Sequence, residues 1–254
     1  QGDGLTDTWF AAHERRNEDA NSFNGFGPLL HEGKRIDWIK PFTKVKNVSY
    51  APGAVSIKWY EDGVTNVALN CLDRHEAAKG DKAALIFEGE PGDTREITYA
   101  ELTRQVKKAA NALINLGIKP GDRVAIYMPM IPEAVIAMQA VARVGAVHSV
   151  IFGGFSAESL SSRIEDAEAK LVITADGGYR KGKASALKPA VDEALKDNNC
   201  PTVENVLVVK RTGGEVAWNP QDIWWSDAMA NADAEHIAEA FPAETPLFIL
   251  YTSG

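Results

Sequence analysis

At 254 residues, 45% of them hydrophobic, the chain is long enough to fill the core of one large α/β domain or two smaller ones. Its 27 Lys and Arg stand against 35 Asp and Glu, a formal net charge of -8, which excludes the basic footprint of a nucleic-acid binder. No apolar run approaches the roughly 20 residues that span a bilayer, and the start QGDGLTDTWF lacks the basic-then-apolar plan of a signal peptide, so a cytoplasmic protein without a membrane partner is expected.

Residues 1–82 read as an irregular, aromatic-rich N-terminal wrap: IDWIKPF and IKWYEDGVTN carry aromatics that need another surface to be buried against. From Ala83 to Gly254 the pattern changes to short β-branched runs alternating with helix-period segments, the signature of layered βα units around a mainly parallel sheet. AALIFEG and REITY form an antiparallel pair about the turn signal Glu90-Pro91-Gly92-Asp93. Thr98 caps the next helix, with Glu101 placed to reach back to the cap amide. Leu102, Val106, Ala109, Ala110, Leu113 and Ile114 line one face of that helix, and Gly117 ends it. KPGDRVAIYMP is a turn and a buried strand, and Pro132 opens the helix PEAVIAMQAVARVG. The strand AVHSVIF, the Ser-capped helix SAESLSSRIEDA, the strand KLVITAD, the helix SALKPAVDEALKD and the strand VENVLVVKR follow. KRTGGEVAWNPQD is a long polar connection, and PLFILYT is a last, buried strand.

Three stretches could carry chemistry. FGGFS, residues 152–156, puts two glycines at the carboxyl end of a parallel strand, where open α/β sheets bind ligands and where glycine lets a ligand approach the backbone; a tight turn without a ligand explains them as well. It is not GxGxxG, and Asp176, about 20 positions on, meets the acidic position of a dinucleotide fingerprint only loosely, so a nicotinamide-dependent dehydrogenase is the weakest reading. DGGYRKGK, residues 176–183, sets Arg180, Lys181 and Lys183 on a Gly-rich loop suited to phosphate, or is an ordinary solvated loop. YTSG offers hydroxyls and backbone amides that could nest an anion. His148 is expected to be a satisfied core or hydrogen-bonded histidine. Cys71 and Cys200 lie in no CxxC and the five His are scattered, so neither a disulfide nor a zinc site is expected, and no catalytic set of side chains stands out.

Taken in order, RIDWIKPFTKVKN, IKWYEDGVTNVALNCLDRH, KPGDRVAIYMPMIPEAVIAM, ARVGAVHSVIFGGFSAESLSSRI, LVITADGGYRKGK, VLVVKRTGG and LFILYTSG resemble the AMP-forming acetyl-CoA synthetases, within the adenylate-forming acyl-CoA synthetase superfamily. The likeness runs from about residue 34 to the end, while NSFNGFGPLL departs from it. It implies an incomplete N-terminal domain of the adenylate-forming fold, similar to the first two fifths or so of a synthetase, and expected to be inactive alone. The implied partners are acetate, ATP with Mg2+, CoA as co-substrate, and the remainder of the same enzyme, which brings the adenylation lysine. Phe152, Gly153 and Gly154 resemble residues lining the pantetheine path of CoA, and Arg180, Lys181, Gly182 and Lys183 the loop that meets its nucleotide end. Thr252, Ser253 and Gly254 resemble the start of the loop that handles ATP phosphates. No catalytic residue and no metal ligand is implied within the chain. A synthetase for propionate or acetoacetate, and a non-catalytic CoA- or nucleotide-binding module, are the alternatives; exposed apolar surface is expected where a further domain would pack.

Overall fold

The structure is a computed structural model that describes residues 36–252. Strands β1 (Lys44–Ser49) and β2 (Ser56–Glu61) form an antiparallel hairpin, followed by β3 (Val64–Thr65) and helix α1 (Arg74–Lys79). Next come β4 (Ala83–Glu88), β5 (Thr94–Thr98), α2 (Tyr99–Asn115), β6 (Arg123–Met128), α3 (Pro132–Arg143), β7 (Val147–Phe152) and α4 (Ala157–Asp166). The remaining elements are β8 (Leu171–Ala175), β9 (Gly177–Arg180), β10 (Lys183–Ala186), α5 (Lys188–Leu195), β11 (Asn205–Val209), β12 (Asp222–Trp224), α6 (Trp225–Ala230), β13 (Phe241–Pro242) and β14 (Phe248–Ile249).

Six strands make the central sheet in the order β12-β11-β8-β6-β7-β14, and every neighbouring pair in it is parallel. Parallel sheets are buried on both faces, which is why β8 and Val206–Val209 of β11 are buried continuously rather than at alternate positions, with Thr174 of β8 satisfied by the Tyr127 carbonyl. The step from β6 to β7 moves one way along the sheet and the steps from β7 to β8 and β8 to β11 move the other way. With right-handed crossovers, α3 therefore lies on one face, packed on α2, and α4 and α5 pair on the opposite face. Neighbouring strands β6, β7 and β8 thus send their connections to opposite sides, and the crevice at their carboxyl ends is where such sheets take ligands.

The helix limits follow local chemistry. The Thr98 hydroxyl accepts the Glu101 N–H at 3.2 Å, and Ser156 accepts that of Ser159 at 3.2 Å. Glu101 does not complete the expected capping box: its carboxylate is held by Arg104 at 2.7 Å and Gln105 at 2.6 Å, which outbid a neutral backbone amide. Leu102, Val106, Ala109, Ala110 and Leu113 are buried, whereas Ile114 lies at the rim and is 44% exposed.

Two other expectations change. The run PLFILYT is no buried strand: only Phe248–Ile249 pair, on one side, with β7, and Phe248 and Leu250 are 53% and 71% exposed because no described element covers this sheet edge. His148 Nδ1 is buried without a hydrogen-bond partner, and burial lowers its pKa. Of the early aromatics, Trp38, Phe42 and Tyr60 pack on one another with ring centroids 5.2 to 5.4 Å apart. Arg143, fully buried at the end of α3, ties distant stretches together: it grips Asp73 through two hydrogen bonds and donates to the His236 ring and carbonyl, while Asn66 donates to the carbonyls of Arg143 and Glu239.

Candidate functional site

Phe152, Gly153, Gly154 and Arg180 meet at the carboxyl edge of β6, β7 and β8. After β7 the chain turns at Gly153-Gly154, closed by a hydrogen bond from Phe155 N–H to the Phe152 carbonyl, before Ser156 starts α4. Tyr127, inside β6, donates its hydroxyl to the Phe155 carbonyl at 2.9 Å, so the sheet core holds the turn. Gly154 leaves room for its two neighbours: a Cβ there would lie 2.6 Å from the Phe152 ring and 3.2 Å from an Arg180 nitrogen, so those side chains would have to shift. Phe152 itself is 60% exposed, and the Arg180 guanidinium stands 5.8 Å from its ring centroid. Thus the aromatic residue, the glycine turn and the arginine, 28 residues apart at the extremes of Phe152 and Arg180, form one surface.

DGGYRKGK is not a loose loop. β9 and β10 pair in register, Arg180 opposite Lys183, across the two-residue turn Lys181-Gly182, whose φ angles of 52° and 73° define the type I′ geometry that matches strand twist. Glycine accounts for the second position, but a lysine gives no left-handed signal, so the turn was hidden from sequence inspection. Lys181, Gly182 and Lys183 are exposed, and the Gly182 N–H donates to the Glu90 carboxylate on the β4–β5 turn. The hairpin therefore presents three cations on a fixed frame instead of a flexible one.

Asp176, at the hairpin's root, is buried, and its carboxylate accepts N–H bonds from Gly177, Arg211, Thr212 and Gly213 at 2.6 to 3.2 Å. Its backbone also accepts from Leu187, so both ends of the hairpin meet at one residue. All of its acceptor capacity points into the protein, which corrects the loose match to a ribose-binding acid and removes the dehydrogenase reading.

The last predicted stretch approaches the same edge. Arg163 of α4 lies between the Phe155 ring, 4.6 Å from its centroid, and the Tyr251 ring at 5.2 Å, and Tyr251 donates to Asp166 at 2.5 Å. Burial and the Asp166 carboxylate push the Tyr251 hydroxyl up to about 12. Thr252, next along, is exposed; Ser253 and Gly254 lie outside the described residues. Sequence inspection had no signal for the contacts of Arg211, Asp93 and Glu90, whose partners are distant in the chain, or for the Tyr251 ring beside Arg163.

A parallel α/β sheet with opposed crossovers, a glycine turn and a cationic hairpin at its carboxyl edge is the architecture of a partial adenylate-forming domain. The AMP-binding enzyme model matches residues 72–254 and the model of the acetyl-coenzyme A synthetase N-terminus matches residues 29–71; the chain belongs to the AMP-binding enzyme family. It is 60% identical over 230 residues to an acetyl-coenzyme A synthetase of Streptomyces avermitilis and 57% identical over 225 residues to one of Escherichia coli (strain K12). Those matches cover 90% and 88% of this chain but 34% of each relative, so the chain spans about a third of the length of the curated relatives it matches. Among solved structures, the acetoacetyl-CoA synthetase from Streptomyces lividans superposes with a TM-score of 0.81 at 30% identity, over 97% of this chain and 36% of that one. Among the described residues no helix is long and apolar enough to cross a membrane.

Proposed function

We propose that this chain is the N-terminal part of an AMP-forming acetate–CoA ligase and that the surface built by Phe152, Gly153, Gly154 and the β9–β10 hairpin receives coenzyme A. The observation that carries the reading is the convergence of an exposed aromatic ring, a glycine turn and Arg180 at the carboxyl edge of the sheet. The turn gives the slim pantetheine arm a close approach to backbone. Arg180, Lys181 and Lys183 face solvent with their positive charges available to the phosphates of the nucleotide end; Arg180 offers a two-pronged contact and the lysines point charges. Thr252, Ser253 and Gly254 begin the loop that meets ATP phosphates.

In the whole ligase acetate attacks the α-phosphorus of ATP, giving acetyl-AMP and pyrophosphate, and the CoA thiol then displaces AMP. The groups that perform adenylation belong to the remainder of the enzyme, so this piece by itself binds and does not turn over. Among the described residues no group of three or more His, Cys, Asp or Glu side chains could hold a metal ion; magnesium enters with ATP, and no residue here is assigned to it. Acetate is favoured over acetoacetate because relatives at 57–60% identity are named acetyl-coenzyme A synthetases, against 30% for the acetoacetyl-CoA synthetase.

Calorimetric titration of CoA onto the chain tests the site. Binding that weakens about tenfold in Arg180→Ala, the loss of one charge-assisted contact, is the expected result; unchanged binding in that variant would remove the assignment. AMP release by the full-length gene product with acetate, propionate and acetoacetate in turn tests the substrate.

A further inference from the structure

Arg211 sits behind the hairpin, outside the proposed coenzyme surface. Its guanidinium makes a two-pronged ion pair with Asp93 at 2.6 and 2.9 Å and lies 5.1 Å from the Tyr179 ring centroid and 5.4 Å from that of Phe87. It therefore ties the β4–β5 hairpin, which carries Asp93 and Phe87, to β9, which carries Tyr179. Its own N–H donates to Asp176 at 2.7 Å, anchoring it at the hairpin root. Asp93 and Arg211 stabilise each other's charged forms: the guanidinium lowers the carboxyl pKa and the carboxylate raises that of Arg211.

Tyr179 and Arg180 are consecutive residues of one strand, and consecutive side chains of a strand point to opposite faces. Seating Tyr179 on Arg211 thus turns Arg180 to the other side, where its guanidinium meets Phe152 and crowds Gly154. Asp176 holds the root of the hairpin and Glu90 its tip, but Lys181 to Ala186 are all exposed, which leaves the half-buried Tyr179 as the hairpin side chain that sets which face is which. We infer that Arg211, held by Asp93, is a positioning residue that acts through Tyr179 to aim Arg180 at the coenzyme. The inference rests on the coenzyme reading of the Phe152–Arg180 surface; Arg211 itself needs no contact with the ligand.

The test is a mutant cycle on the chain, read by calorimetric titration with CoA, with a circular-dichroism melt of each variant as the folding control. Arg211→Leu is expected to weaken binding at least fivefold, Arg180→Ala about tenfold, and the double variant no more than Arg180→Ala alone, because a misaimed side chain that has been deleted cannot be missed. Tyr179→Phe keeps the ring and is expected to bind within twofold of the parent, whereas Tyr179→Leu behaves as Arg211→Leu and supplies the same test should that variant not fold. A loss that adds in full to Arg180→Ala, or normal CoA binding by Arg211→Leu when Arg180→Ala is impaired, overturns the positioning role alone. No effect of Arg180→Ala removes the coenzyme reading on which it stands.

Discussion

Replacing Asp176 by alanine removes the acceptor for four backbone N–H groups at once. The donor of Gly177 is buried and loses its partner outright, at about 1–3 kcal/mol. Arg211, Thr212 and Gly213 are half-buried or exposed, so water recovers part of each loss and about 0.5–1 kcal/mol apiece remains. The sum is about 2.5–6 kcal/mol, a large share of the roughly 5–15 kcal/mol that typically holds a domain together. Asp176→Asn is milder. Its one carbonyl can keep the bonds made at Oδ1, to Gly177, Arg211 and Thr212, while its amide nitrogen opposes the Gly213 N–H, for a cost of about 2 kcal/mol. Urea melts of the three proteins at neutral pH measure this order directly, and amide exchange should show residues 177–187 opening first. If Asp176→Ala lost less than about 1 kcal/mol, the carboxylate would not be the anchor of the hairpin, and its four short contacts would carry no weight.

Lys188 is fully buried between Asp192 and the equally buried Asp222, to which its ammonium stands at 2.8 Å. Lys188→Met should cost about 3–5 kcal/mol by stranding the Asp222 charge, and Lys188→Met/Asp222→Asn should recover part of it in the same melt. Burial lowers the pKa of His148 and His236, with the Arg143 charge a second cause at His236, whose Nδ1 accepts from Arg143 at 3.1 Å. The unfolded chain then binds protons that the folded one resists, so stability is full above about pH 6.5 and falls as pH drops below it. Denaturation midpoints between pH 7.5 and 5.5 should follow that slope, and His236→Asn, which keeps an acceptor but no titration, should flatten it. Gly154→Ala should melt within about 0.5 kcal/mol of the parent, since the added methyl meets the free end of an exposed ring, yet bind CoA several-fold more weakly as Phe152 and Arg180 shift; normal binding would remove the crowding argument.

Local rules read most of the fold. Thr98, Pro132 and Ser156 start helices, Gly117 and Gly145 end them at φ of 84° and 70°, and the β-branched runs are the strands of a parallel sheet. What stayed hidden involves partners far apart in the chain. Arg211 and Asp93 are separated by 118 positions, and nothing near either one announces the pair. Asp176 looked like a ligand group because its spacing fits a fingerprint; only the folded backbone shows its oxygens already taken. The apolar run before Thr252 reads as buried, but burial depends on what covers a sheet edge, which no strand encodes about itself. Arg180 and the two glycines were legible as residue types at a sheet edge, whereas their meeting over Phe152 depends on the hairpin.

The proposed coenzyme A surface lies where the β7 turn faces the β9–β10 hairpin. Hydrogen exchange of the chain with and without saturating CoA maps this surface directly. The expected result is slower exchange confined to residues 152–156 and 177–186. Protection elsewhere, or none at concentrations where calorimetry records binding, would contradict it.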